Sequence, residues 1–292
     1  MLYLGIDAGA SSTKWALLDS EGTVKEGTSL SMDGHINREE SKTRMIAVLK
    51  EIEAVAHPQK VTAIYAGITG ISETVEGAAA TVEIFRSVFG RARLELVTDI
   101  ELGYRTHLDF GEGIFLYAGT GSIALHINKN REIIRAGGWG YLLGDEGGGY
   151  WIGREAIRKV LFRIESQSPI APNSFEERIL IFMDCLDWKD IKSFVYSHER
   201  SKMASIAQHV IELAQEGDGT ALEILQEAAG YLADLVWRLE KNLGMEGKPV
   251  VFAGGLSTEN NPLLQALNRK LGAQVRVSNI RSATRAAELA RQ

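Results

Sequence analysis

Four carboxylates and two glycine-bearing turns in this 292-residue chain stand where chemistry needs them. Asp7 ends the apolar run "LYLGID", and "AGASST" follows, a tight turn of small residues beginning around Gly9. Such a turn exposes backbone N–H groups beside the hydroxyls of Ser11, Ser12 and Thr13, a combination that suits the oxygens of a phosphate. A carboxylate beside that anion would repel it unless a cation intervened, and Mg2+ is the cation that joins the two. Asp7 fits a turn-capping role as well. A second turn, "AGTGS", carries Gly119, Thr120 and Gly121. Either turn alone reads as an ordinary hairpin; the pair points to a phosphate site. Asp99 follows "LELVT" and opens a helical stretch. An acid there serves either as a helix N-cap or as a base that takes a proton from an attacking hydroxyl.

The third feature is "AGGWGYLLGDEGGGYWIG", residues 136–153, in which eight of eighteen residues are glycine around Trp139, Asp145 and Glu146. An uncharged ring of hydroxyls is recognised by close backbone donors, a carboxylate that accepts hydroxyls, and an aromatic near the apolar ring face. Glycine admits the backbone, Asp145 accepts, and Trp139 is the aromatic; Glu146 braces the loop or reaches a second hydroxyl. The other reading is a glycine-rich turn into a helix near Tyr150, with Trp139 in the core. Gly254 and Gly255 follow the apolar run "VVFA" and form a further turn.

The elements that would position these residues occur twice. "LYLGID", a turn, "KWALLD" and a hairpin into a third strand are repeated as "IFLYA", "GTGS", "IALHIN" and "KNREIIRAG". After the first copy we expect a helix near 38–55, a strand at 61–68, a helix near 76–88, a strand at 93–99 and a helix started by Asp99. After the second, helices fill about 149–243, followed by a strand at 248–255, a helix near 261–271, a strand at 273–278 and a helix at 283–291. Each half reads β-β-β-α-β-α-β-α, a duplicated α/β domain. The expected lobes are 1–110 and 111–292, the second carrying the helical insertion, with a hinge near 108–112 and the phosphates between the two turns.

The bulk numbers narrow the ligand. A 45% hydrophobic content is enough for two cores, and a net charge of −6 from 32 basic and 38 acidic residues argues against nucleic acid or an anionic membrane as partner. Cys185 is the one cysteine and can form neither an internal disulfide nor a cysteine cage; it reads as a small core residue. The start "MLYLGIDAG" lacks a signal-type pattern, and a cytoplasmic setting is expected.

On "GIDAGASSTKWALLD", "VTD", "AGTGS", "GGWGYLLGDEGGGYWIG" and "VVFAGGL" the chain resembles the BadF/BadG/BcrA/BcrD ATPase family, in its N-acetylglucosamine kinase branch, over nearly its whole length. That resemblance implies an α/β, duplicated ribonuclease H-like fold of the actin, Hsp70 and hexokinase type, two lobes with a helical insertion in the second. It implies ATP and Mg2+, a small-molecule sugar acceptor and a homodimer. Asp7 would hold the metal, and Ser11 and Thr120 the nucleotide phosphates. Ala214, Gly254 and Gly255 would lie at the adenosine, Asp99 would be the catalytic base, and Ser122, Gly138, Trp139 and Asp145 would contact the sugar.

The chain departs from that pattern in "SLSMDGHINRE", where the sugar-contacting Asn of the amino-sugar kinases falls on Gly34, so that Asp33 or His35 would take over the contact. Ala8 and Ala10 stand where relatives often have glycine, and "SATRAAELA" has alanines in place of a Gly-Ala pair. An amino-sugar or hexose kinase is therefore expected. The other expectation is a regulatory ATPase of the same family without an iron–sulfur cluster, which a lone cysteine could not hold.

Overall fold

The structure, a computed structural model, describes residues 1–9, 12–22, 24–56, 60–71, 75–244, 246–278 and 280–292. The chain forms two compact units, Met1–Asp109 with Asn279–Gln292, and Phe110–Ser278.

The first unit opens with β1 (Leu2–Ala8), β2 (Thr13–Asp19) and β3 (Val24–Ser29), followed by α1 (Glu39–Ala56), β4 (Val61–Ile68), α2 (Val75–Phe89), β5 (Arg93–Thr98) and α3 (Asp99–His107). Short turns make the first three strands antiparallel, and helical crossovers make β4 and β5 parallel, giving the order β3-β2-β1-β4-β5. β1 is central and apolar on one face: Leu4, Ile6 and Ala8 pack under α1 and α2 with Met45, Leu49, Ile52 and Phe85. The opposite face is covered by α10 (Ser282–Arg291), which the sequence reading counted with the second half. Small side chains let that helix approach closely. A Cβ on Gly5 would stand 2.0 Å from the Ala283 carbonyl oxygen and 2.2 Å from the Ala287 nitrogen, so the strand and helix backbones are in contact.

In the second unit β6 (Ile114–Ala118), β7 (Ser122–Ile127) and β8 (Ile133–Gly137) repeat the opening. The helices α4 (Gly149–Glu165), α5 (Phe175–Met183), α6 (Trp188–Ser197), α7 (Arg200–Gln215) and α8 (Gly219–Leu243) follow, then β9 (Val250–Ala253), α9 (Pro262–Leu271) and β10 (Arg276–Val277). The sheet order β10-β9-β6-β7-β8 is that of the first sheet, with β6 in the place of β1. α8 buries Leu225, Ala228, Leu232, Val236 and Leu239 at helical spacing in the core that Leu116, Phe252 and Leu267 share. Cys185 is buried there too. The strand expected at 273–278 shrinks to two residues because it is an edge strand with a single partner, the four-residue β9.

His107, in the last turn of α3, has its pKa lowered from 6.5 to about 4 by burial. The unfolded chain therefore takes up a proton that the folded chain refuses, and stability falls as pH drops through the window from 6.5 to about 4. Because the ring is partly exposed, the gross shift is discounted to about 1–2 kcal/mol. We expect His107→Gln to recover roughly 2–6 °C of the parent's loss in Tm across that window, measured by calorimetry at matched ionic strength. Parallel Tm–pH curves for the two proteins would show that His107 is not responsible.

Candidate functional site

The turns and strand ends of the first unit gather its acids. Asp7 is half-buried near the end of β1, opposite Lys14 on β2 and Gly67 on β4. Burial pushes its carboxyl above the usual aspartate range; the Lys14 ammonium pulls it back, and the Asp99 carboxylate pushes it further up. Asp7 and Asp99 thus feel one another at the strand ends. Asp99 is the first residue of α3 and accepts from the Ile100 N–H at 3.0 Å. The N-cap is Thr98, whose hydroxyl accepts from the Glu101 N–H at 3.0 Å. The capping role that the sequence offered to Asp99 therefore belongs to its neighbour, and the Asp99 carboxylate is not needed to start the helix. Lys14 was passed over as a strand residue; counting pairs outward from the turn would have found it, since the hairpin register sets it beside Asp7.

The turn itself is closed by the Gly9 N–H donating to the Ser12 carbonyl at 3.1 Å, with Ser12 half-buried. Ser11 lies outside the described residues. Thr13 departs from expectation. It is fully buried and its hydroxyl accepts from the Met32 N–H at 3.1 Å, so it pins the loop before α1.

That loop carries the departure from the amino-sugar kinases. Asp33 accepts from the His35 N–H at 2.9 Å and from the Ser41 hydroxyl at 3.3 Å, which ties the loop to the start of α1. The Gly34 N–H donates to the Thr69 carbonyl at 2.9 Å, and a Cβ on Gly34 would lie 2.4 Å from the Ile71 Cα. Backbone is packed on backbone there, so no side chain fits at Gly34. His35 is exposed, its ring against the Gly70 turn. Of the two replacement candidates, Asp33 is committed to loop structure and His35 is the one presented at the surface.

In the second unit the phosphate-type turn and the glycine-rich stretch are one structure. The Gly149 N–H donates to the Gly119 carbonyl at 2.8 Å and the Tyr150 N–H to the Thr120 carbonyl at 2.9 Å, so the turn satisfies the first donors of α4. A Cβ on Gly148 would stand 2.7 Å from the Gly121 carbonyl carbon, and one on Gly121 would stand 2.2 Å from the Asp145 Oδ2. Glycine at these positions is what lets the turn and the acid meet. Thr120 is exposed at the tip, and the Gly119 N–H donates to the Gly121 carbonyl at 3.0 Å.

Asp145 adopts φ +63°, and its Oδ1 accepts from the Gly140 N–H at 3.2 Å. Burial raises its pKa; the Gly140 and Ser122 backbone N–H groups pull it down, Glu146 raises it and Arg200 lowers it. An ionised carboxylate offers about four acceptor directions, so two backbone donors leave room for hydroxyls. Ser122, expected to contact the sugar, is buried and donates its hydroxyl to the Glu146 carbonyl at 2.7 Å; it braces the loop instead. Gly138, at φ +69°, donates its N–H to the Ser122 carbonyl at 3.1 Å. Trp139 is 58% exposed, with the Arg238 guanidinium 5.8 Å from its ring centroid, so it belongs to the surface of the loop and not to the core.

Gly254 is half-buried and Gly255 exposed at the end of β9, and the Leu256 N–H donates to the Ala118 carbonyl at 3.1 Å. Ala214 is buried in the core, and its carbonyl accepts from the Gly217 N–H at 3.1 Å in closing α7.

The model of the BadF/BadG/BcrA/BcrD ATPase family matches residues 4–288. The chain is 29% identical over 276 residues to the N-acetylmuramic acid/N-acetylglucosamine kinase of Clostridium acetobutylicum, covering 92% of this chain and 89% of that protein. It is 32% identical over 166 residues to the N-acetyl-D-glucosamine kinase of Dictyostelium discoideum, covering 54% of this chain and 51% of that one. Among solved structures, a Chromobacterium violaceum protein assigned as an N-acetylglucosamine kinase superposes with a TM-score of 0.69 at 25% identity, covering 98% of this chain and 97% of that one. The fold is the duplicated actin-like ATPase fold of the sugar kinases.

Proposed function

We infer that this chain, which belongs to the BadF/BadG/BcrA/BcrD ATPase family, is an ATP-dependent kinase that phosphorylates a hydroxyl of an amino sugar, N-acetylglucosamine or glucosamine. One observation carries the reading: the Gly119–Gly121 turn and the Asp145 loop are joined backbone to backbone. A phosphate-type turn and a hydroxyl-accepting carboxylate held in fixed relation are what phosphoryl transfer to a sugar requires.

The roles follow from the chemistry of each group. Asp99 takes the proton of the acceptor hydroxyl as its oxygen attacks the γ-phosphorus; the bond to the bridging oxygen breaks and ADP leaves. Asp145 accepts sugar hydroxyls, Trp139 flanks the ring, and the Gly119–Gly121 turn with the Thr120 hydroxyl receives polyphosphate oxygens. Lys14 adds a positive charge beside Asp7. Asp7 fits Mg2+: burial and Asp99 both push its carboxyl toward protonation, and a divalent cation would hold it ionised. When bound, the ion supplies neutralising charge to the β- and γ-phosphates. Among the described residues no helix is long and apolar enough to cross a membrane. We place the proposed kinase in the cytoplasm because that is where ATP is supplied.

The reading is tested by coupled ADP release over hexoses, hexosamines and N-acetylated hexosamines, with a no-sugar control. We expect an amino sugar to raise ADP release by orders of magnitude over ATP alone, because the bound hydroxyl replaces water as acceptor. Equal turnover with and without every sugar would overturn the kinase reading in favour of a regulatory ATPase.

A further inference from the structure

The duplication sets Tyr117 where the first unit has Asp7. Ala8 opposite Thr13 closes the first hairpin and Ala118 opposite Ser122 closes the second, so Asp7 and Tyr117 are each the last residue but one of a matching strand. On β6 the residues Ile114, Leu116 and Ala118 enter the helical core, whereas Tyr117 is 42% exposed. Its side chain lies between two turns of the same unit. A Cβ on Gly119 would stand 3.0 Å from the Tyr117 hydroxyl, and one on Gly254 would stand 3.1 Å from the Tyr117 Cε2. The hydroxyl is therefore at the phosphate-type turn and the ring edge at the turn after β9. A ligand that reaches from one turn to the other crosses this side chain.

We propose that Tyr117 is a nucleotide-contacting residue, its ring lying against the nucleotide between the Gly119 and Gly254 turns and its hydroxyl donating to a phosphate oxygen. The assignment rests on the kinase reading above and goes beyond it in naming a contact of this chain's own. The chemistry explains why the two halves differ here. A second carboxylate at this position would face the polyphosphate without the Lys14 that accompanies Asp7, since the partner of Tyr117 across the hairpin is Ile123. A phenol is neutral, donates one hydrogen bond and adds apolar area under a planar group.

The test is titration of ATP and of a non-hydrolysable ATP analogue into the parent, Tyr117→Phe and Tyr117→Asp by calorimetry, with steady-state kinetics and ligand-free melting curves. Tyr117→Phe keeps the ring and should melt with the parent, while its Kd and KM for ATP rise about tenfold, the lower range for a hydrogen bond to a charged group. Its KM for the sugar should stay within twofold. Tyr117→Asp should bind ATP more weakly still, by like-charge repulsion. ATP affinity within twofold of the parent in both variants would overturn the assignment while leaving the kinase reading intact. A parent that binds no ATP would instead remove the kinase reading and this contact with it.

Discussion

Replacing Asp99 by Asn should lower kcat by ~10²-fold or more, the range of general-base contributions, while the Kd for ATP changes little. The local structure makes this a clean substitution. Asn matches Asp in shape and keeps an oxygen to accept from the Ile100 N–H, and the helix cap stays in place because Thr98 provides it. What is lost is the proton acceptor. One further consequence separates this role from a structural one: the Asp99 charge raises the pKa of Asp7, so its removal should ease Asp7 toward ionisation, and metal-dependent ATP binding should not weaken. Near-normal turnover in a folded Asp99→Asn protein would remove Asp99 as the base, and a parallel loss of ATP binding would make it a scaffold residue.

The assignment of Asp99 also shows where the sequence was legible and where it was not. Its place at the end of a strand and the head of a helix could be read from "LELVTD", because a run of alternating apolar residues followed by polar residues and helical spacing is a local signal. Which of Thr98 and Asp99 caps the helix could not, since both are favoured cap residues and one position decides the matter. The same division holds elsewhere. The repeated hairpins were visible because strand–turn–strand patterns are local. Thr13 reads as a ligand hydroxyl because it sits at a turn, and Ser122 because of the family resemblance; the side each faces is set by loops far off in sequence, at Met32 and Glu146. Gly34 could be seen to break the kinase pattern, but its backbone contact with Ile71 could not. Tyr117 was invisible until the two hairpins were placed in register.

In the proposed kinase Asp145 is the acceptor of the sugar hydroxyls, and its surroundings show which substitution isolates that role. Asp145→Ala removes the acceptor for the Gly140 N–H and leaves alanine at φ +63°, a left-handed conformation that costs about 1–2 kcal/mol for a residue with a plain Cβ. Asp145→Asn tolerates that conformation and keeps one oxygen for Gly140, while it replaces a charged acceptor by a donor. Sugar affinity should therefore fall by ~1–3 kcal/mol in Asp145→Asn. ATP affinity should hold, because the Gly119–Gly121 turn is fixed by main-chain bonds from Gly149 and Tyr150 that do not use the carboxylate. The pH dependence gives an independent readout. Burial raises the Asp145 pKa, so the carboxylate is ionised and sugar binding intact above that raised value. Affinity is lost as pH falls through it, beginning above the ordinary aspartate range. Asp145→Asn should abolish that acid limb in sugar affinity. Equal loss of sugar and ATP affinity in Asp145→Asn would mean that the glycine loop had collapsed, and an unchanged acid limb would mean that another group accepts the sugar hydroxyls.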